Sequence, residues 1–169
     1  TYGFIYGGGD LKLGSILHPE YSDHEKKSLG AELRRKFLAA IPGLEPLVTA
    51  IKQKVRTRGW LKGLDKRPIY CRSEHSGLNF CLQSAGAIIS KQWCIQTEDL
   101  LIAEGFNYGS DYSRCAYVHD EQQFSVMPQL AEKVMELVVA AAPLAGEYYN
   151  FRVPITASGV IGPTWHHTH

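Results

Sequence analysis

The stretch "CAYVHDEQQFSV", residues 115–126, sets His119, Asp120 and Glu121 side by side between two half-apolar runs. A period of two sends Cys115, Tyr117 and His119 to one face and Ala116 and Val118 to the other, the pattern of a strand. The run from Gln122 to Val126 reads the same way, so a tight turn must join the two strands. Asp120 and Glu121 then fall at or beside the turn, open to a ligand rather than to the core. Adjacent carboxylates repel, and both stay ionised at neutral pH only if solvated or matched by cations. Their hard oxygens favour magnesium or manganese over zinc. One aspartate does not hold such an ion alone; a second carboxylate or substrate phosphates must help. An acidic turn without a ligand is the plain alternative.

Outward from this hairpin the period changes to that of helices. Pro128 opens a helix with Leu130, Val134, Leu137, Val138 and Ala141 inward. Upstream, residues 74–104 place Leu78, Leu82, Ala85, Ile89 and Trp93 on an apolar stripe. Asn79 and Gln83 lie one turn apart on another face, followed by the small residues Ser84, Ala85, Gly86 and Ala87. "GWLKGLDKRPIYCR", residues 59–72, reads as a second hairpin punctuated by Gly63 and Asp65. Two further helices precede it. One is capped by Ser22 or Asp23 and carries Leu29, Leu33 and Phe37. The other carries Leu44, Leu47, Val48, Ile51 and Val55. Residues 1–6 read as the last turns of a helix stopped by "GGG", and "YYNFRVPITASG", residues 148–159, as a final strand-like run. These elements predict an α/β (α+β) body with a helical front section.

The chain has 169 residues, 44% of them hydrophobic, enough for one ordinary core or for part of a larger protein. It begins with Thr1 inside what reads as a structured element, so a fragment is expected. No apolar run approaches the roughly 18 residues that span a bilayer, and the chain reads as soluble and cytoplasmic, with no membrane partner. Four cysteines, Cys71, Cys81, Cys94 and Cys115, sit among apolar neighbours without a CxxC pair and read as buried free thiols. A net charge of +1 makes no global case for a nucleic-acid partner. Its distribution says more: Lys52, Lys54, Arg56, Arg58, Lys62, Lys66, Arg67 and Arg72 form a positive band. Glu98, Asp99, Glu104, Asp111, Asp120 and Glu121 form a negative stretch after it. That order suits a site holding a polyanion and a cation together, or a solvated surface of patchy charge.

Four segments in order, "TYGFIYGGG", "GWLKGLDKR", "LNFCLQSAGAII" and "YVHDEQQF", resemble the C-terminal half of family A DNA polymerases, nearest the replicative enzymes of T-odd bacteriophages. The end of the chain, "NFRVPITASGVIGPTW", resembles the same enzymes, so the likeness covers nearly the whole chain. The resemblance implies a polymerase palm with an antiparallel β-hairpin sheet packed on long helices, residues 58–169. Residues 1–57 would be the rest of the helical fingers. It implies template-directed nucleotidyl transfer by a two-metal mechanism with Mg2+, on primer-template DNA and dNTPs.

By the same resemblance, Tyr2 would sit against the nucleotide sugar and Tyr6 near the templating base. Asn79 and Gln83 would donate into the minor groove, testing duplex geometry without reading sequence. Arg72 would lie near the phosphate backbone. Asp120 would hold the metal, His119 would touch the primer end, and Glu121 would support the metal site. The second metal-binding aspartate, and the basic residues that grip the triphosphate, would precede Thr1. The N-terminal part of the polymerase is therefore an expected partner, in the same chain or a separate one, and this portion alone is expected to be inactive. The resemblance departs at Gln122, where these enzymes carry an apolar residue, and at Lys66, where they commonly carry glycine. Two other readings compete: a non-catalytic module that grips primer-template or a partner, and a metal hydrolase built on His166, His167, His169 and the acidic turn.

Overall fold

The computed structural model describes residues 2–5 and 7–168. The elements run α1 (Tyr2–Ile5), α2 (Asp10–Leu17), α3 (Asp23–Ala40), α4 (Leu44–Arg58), β1 (Trp60–Lys62), β2 (Pro68–Tyr70), α5 (Gly77–Ala103), β3 (Tyr112–Val118), β4 (Glu121–Val126), α6 (Ala131–Tyr148) and α7 (Trp165–Thr168). Short 3-10 turns precede α5 and α6. The helices and two small antiparallel sheets form the mixed α+β body expected from the periodicities. Among the described residues no helix is long and apolar enough to cross a membrane. Packing divides the chain into two compact units, Thr1–Ser84 and Ala85–His169, with the division falling inside α5.

In the first unit, α3 starts where its sequence says it should. Ser22 and Glu25 form a reciprocal capping box that satisfies two backbone N–H groups the helix start leaves over. α4 stops at Gly59, whose φ of 73° suits glycine and ends the helix with a bond from its N–H to the Val55 carbonyl, 2.8 Å. The chain then turns into β1, which pairs with β2 in register Leu61↔Ile69. Ile51, Val55 and Leu61 form the buried cluster, and Ile69, Cys71, Leu78 and Cys81 pack around it. Leu47 and Leu82, placed inward by periodicity, are half exposed instead. Each apolar stripe is wider than the surface this unit offers to cover it.

The sequence reading contains no α2. Its apolar residues Leu11, Ile16 and Leu17 stay exposed, so burial periodicity does not mark it. What holds it is backbone-to-backbone approach to α3: a Cβ on Gly14 would lie 2.0 Å from the Lys26 carbonyl oxygen. Arg34 adds a clamp, donating to the Asp10 carboxylate and to the Gly8 carbonyl, each at 2.7 Å, and lying over the Phe4 ring.

In the second unit, Leu101, Tyr112 and Val134 form the buried centre, with Phe106, Phe124, Val126, Leu130, Leu137 and Val138 around it. Trp93 donates its indole N–H to the Val138 carbonyl at 2.7 Å, tying α5 to α6. Of the inward set foreseen for α6, Val134 and Ala141 are buried and Leu130, Leu137 and Val138 are partly buried, while Ala142, Ala145 and Gly146, not foreseen, are buried as well. The strand expected over residues 148–159 does not form: Tyr148 ends α6 and residues 151–164 have no regular structure. Pro154 has no N–H for a ladder, and Asn150, at φ 56°, turns the chain back on the helix it leaves. Ile155 packs on Gly146, where a Cβ would stand 2.8 Å from its Cγ1, and Gly159 sits against Met135 in the same way.

Candidate functional site

The hairpin β3–β4 presents the acidic turn. Val118 pairs with Glu121, so His119 and Asp120 alone form the loop, and His119 takes a φ of 54°. That left-handed backbone is uncommon outside glycine, and histidine is, with asparagine and aspartate, among the residues that adopt it most readily, so it suits a tight two-residue loop. His119 and Asp120 are exposed and Glu121 is half-buried. The tip edges a cavity of about 730 Å³ walled by α6 and the tail.

The tip is exposed but its base is fixed. Tyr112, 2% exposed, donates to Glu98 of α5 at 2.6 Å. Arg114 donates to the Cys94 carbonyl at 2.9 Å, reaches Glu98 at 3.4 Å, and lies over the Phe124 ring. Tyr117 hydrogen-bonds Ser90 of α5, and its burial pushes the phenol pKa up. Met127 donates its N–H to the Asp111 carbonyl at 3.0 Å and closes the far end. A clamped base carrying a two-residue tip holds a side chain in place more firmly than a loop would.

Strict alternation along β3 fails at one point. The register shifts between Arg114 and Ala116, leaving Cys115 as an exposed bulge residue, so it is not the buried thiol expected. Cys71, Cys81 and Cys94 are partly buried and free, and burial pushes each thiol up. Such thiols stay protonated and are poor nucleophiles or metal ligands.

The acidic run is not one focus either. Glu98 is engaged by Tyr112 and Arg114, Glu104 pairs with Lys133 at 3.7 Å, and Asp111 accepts from the Asn107 backbone at 2.8 Å. That last bond holds the Asp111 carboxyl below its usual range. Asp120 and Glu121 are left at the tip. Among the described residues no group of three or more His, Cys, Asp or Glu side chains could hold a metal ion, the histidines of α7 included; His169 lies outside the described residues. The carboxylates of Asp120 and Glu121 carry hard oxygens of the kind that suits a divalent cation such as magnesium.

Gln122, the polar residue beneath the hairpin, donates to the fully buried Thr97 at 3.4 Å, while its Oε1 is enclosed without a partner. Gln122 thus leaves a buried polar atom unsatisfied two residues from Asp120.

In the first unit, Asn79 and Gln83 lie one turn apart on α5, as i and i+4. Asn79 is half-buried and its Oδ1 is enclosed without a hydrogen-bond partner, an arrangement that costs about 1–3 kcal/mol. Gln83 is exposed. Arg72 is exposed just after β2, with Lys54, Arg58, Lys62 and Lys66 also exposed. In the same basic band Arg56 is ion-paired to Glu74 at 2.7 Å and Arg67 to Asp65. Tyr2 belongs to α1, but its side chain, like the whole of Tyr6, lies outside the described residues.

Sequence reasoning missed the residues that support the tip: Glu98, Tyr112 and Arg114 at its base, and Gln123 and Thr168 beside it. Gln123 was visible in principle, because alternation in β4 puts it on the face of Glu121.

A family model described as DNA polymerase family A matches residues 1–167. Among curated proteins, the chain is similar to the DNA-directed DNA polymerase of Escherichia phage T7, 37% identical over 97% of this chain and 25% of that protein. The enzyme of the same description from Enterobacteria phage T3 is 36% identical over 99% of this chain and 25% of that protein. The chain therefore spans about a quarter of the length of these relatives. Among solved structures, the polymerase domain of Pol1 from M. smegmatis, in complex with DNA primer-template and dNTP, superposes with a TM-score of 0.79 at 22% identity. The match covers 99% of this chain and 29% of that one. At that identity the likeness speaks for the fold.

Proposed function

Since the chain belongs to the family A DNA polymerases, we propose that it supplies the primer-end half of a DNA-directed DNA polymerase active site. One observation carries the reading: Asp120 stands exposed on a two-residue tip whose base is clamped to α5. Residues 58–169 take the palm role and residues 1–57 the remaining fingers role. The enzyme works in the cytoplasm, of a host cell where the source is a virus.

In this reading Asp120 is a magnesium ligand and Glu121 supports the same ion from beside it. Bound magnesium supplies charge that activates the primer 3′-hydroxyl and stabilises the leaving pyrophosphate, shared between two ions. The clamped hairpin keeps Asp120 where the primer end must be, so little reorganisation is needed at reaction. His119, at the tip, touches the terminal primer nucleotide. Asn79 and Gln83 donate to minor-groove acceptors, which every base pair presents, and so test pair geometry. An asparagine kept polar in a half-buried position at energetic expense is consistent with that task. Arg72 and the exposed lysines near it neutralise backbone phosphates. Tyr2 and Tyr6 contact the incoming dNTP.

The remaining ligands and the triphosphate-binding side chains belong to the N-terminal part of the polymerase, consistent with the quarter-length match to the phage enzymes. Primer extension tests this. The isolated chain, with primed template, magnesium and four dNTPs, is expected to yield no product, and adding the upstream part is expected to restore synthesis. Extension by the isolated chain would refute the division of the site. Retained primer-template binding without synthesis in the reassembled protein would instead favour a non-catalytic module.

A further inference from the structure

Alternation in β4 places Glu121 and Gln123 on one face, and the two side chains meet. Gln123 donates its Nε2 to Glu121 Oε1 at 2.5 Å. Thr168, 45 residues away in α7, has its Oγ1 3.2 Å from Gln123 Oε1. The chemistry of the three groups fixes the direction of this chain of bonds. An ionised carboxylate only accepts, so Gln123 must turn its NH2 to Glu121, which leaves its carbonyl facing Thr168. A hydroxyl is the group that can donate there. The same hydroxyl lies 3.1 Å from the Trp165 carbonyl, so its single hydrogen is shared between the two acceptors.

The segment that carries Thr168 is itself held. Ile155 packs on Gly146, Gly159 packs on Met135 of α6, and the Thr164 hydroxyl meets His167 Nδ1 at 2.8 Å. Thr168 thus reaches the hairpin from an anchored support.

We propose that Gln123 and Thr168 are positioning residues: they hold the Glu121 carboxylate in the rotamer that supports the divalent ion beside Asp120, so the C-terminal segment tunes the metal site. This rests on the reading of Asp120 and Glu121 as the ion-binding tip. Hydrogen bonds to an ionised acceptor are about twice as strong as neutral ones, and partners that orient a metal ligand commonly change ion affinity about ten-fold or more when removed.

The test uses the full-length polymerase that contains this chain and measures the Mg2+ concentration for half-maximal primer extension, with thermal stability in parallel. Thr168→Val and Gln123→Leu are each expected to raise that concentration about ten-fold, with KM for primer-template unchanged. Thr168→Ser, which keeps the hydroxyl, is expected to restore it. In a Glu121→Gln background, Thr168→Val is expected to add less than two-fold, because the carboxylate it orients is gone. An equal shift in both backgrounds would overturn the proposal. So would no shift from Thr168→Val when Glu121→Gln alone gives one. Failure of the underlying reading has a different signature. There neither Glu121→Gln nor Asp120→Ala alters the Mg2+ requirement or the rate of primer extension, and the proposal falls with it.

Discussion

Tyr112 donates its phenol to Glu98 across 2.6 Å, joining the first residue of β3 to α5 inside the core. Burial, and then this bond, push the Tyr112 phenol up to about 12. An unfolded tyrosine ionises near 10. Below about pH 10 both states hold the proton and the stabilisation is complete; above it the unfolded chain loses its proton first, so stability falls as pH rises toward 12. A gap of that size corresponds to about 2–3 kcal/mol. Urea unfolding from pH 9 to 12 is expected to show this loss. Tyr112→Phe is expected to be about 1–3 kcal/mol less stable at pH 7 and to lack that component of the alkaline slope.

Gly30 backs onto α2 so closely that a Cβ would lie 1.8 Å from the Asp10 carbonyl oxygen, and Gly14 does the same toward Lys26 at 2.0 Å. A backbone cannot yield as a side-chain end can. Gly14→Ala and Gly30→Ala are each expected to lower stability by about 3 kcal/mol in thermal or urea unfolding. Alanine is the better helix former, so intrinsic propensity predicts the opposite sign.

Lys66 occupies a glycine conformation, φ 72°, in a turn closed by its N–H on the Gly63 carbonyl at 3.0 Å. Relief of left-handed strain outweighs the extra freedom glycine brings to the unfolded chain. Lys66→Gly is expected to raise stability by about 0.5–1 kcal/mol, read from the urea midpoint.

Asp120 is exposed and pairs with no core group, so Asp120→Ala is expected to leave stability within about 0.5 kcal/mol. In the full polymerase the same change is expected to slow nucleotide incorporation at least a thousand-fold, about 4 kcal/mol of transition-state stabilisation, measured by single-turnover extension. A large loss of stability in place of lost rate would make Asp120 structural.

Much of this protein follows from order along the chain. Apolar spacing at two and at three to four residues located α3 to α6 and both hairpins. Ser22 or Asp23 marked a helix start, and the acidic turn with its flanking motifs pointed to family A polymerases. Each of these signals acts between residues a few positions apart, so it survives without knowledge of the fold. Tertiary structure decided the rest. α2 exists because two glycines let backbones touch, the bulge at Cys115 resets the face of β3, and the tail lies on α6 rather than in a sheet. Glu98 faces inward while Asp120 faces out, although both carry the same charge in sequence, and Thr168 finds Gln123 across 45 residues. Contacts of that span depend on which surfaces meet after packing, a property of the whole chain that no short window contains.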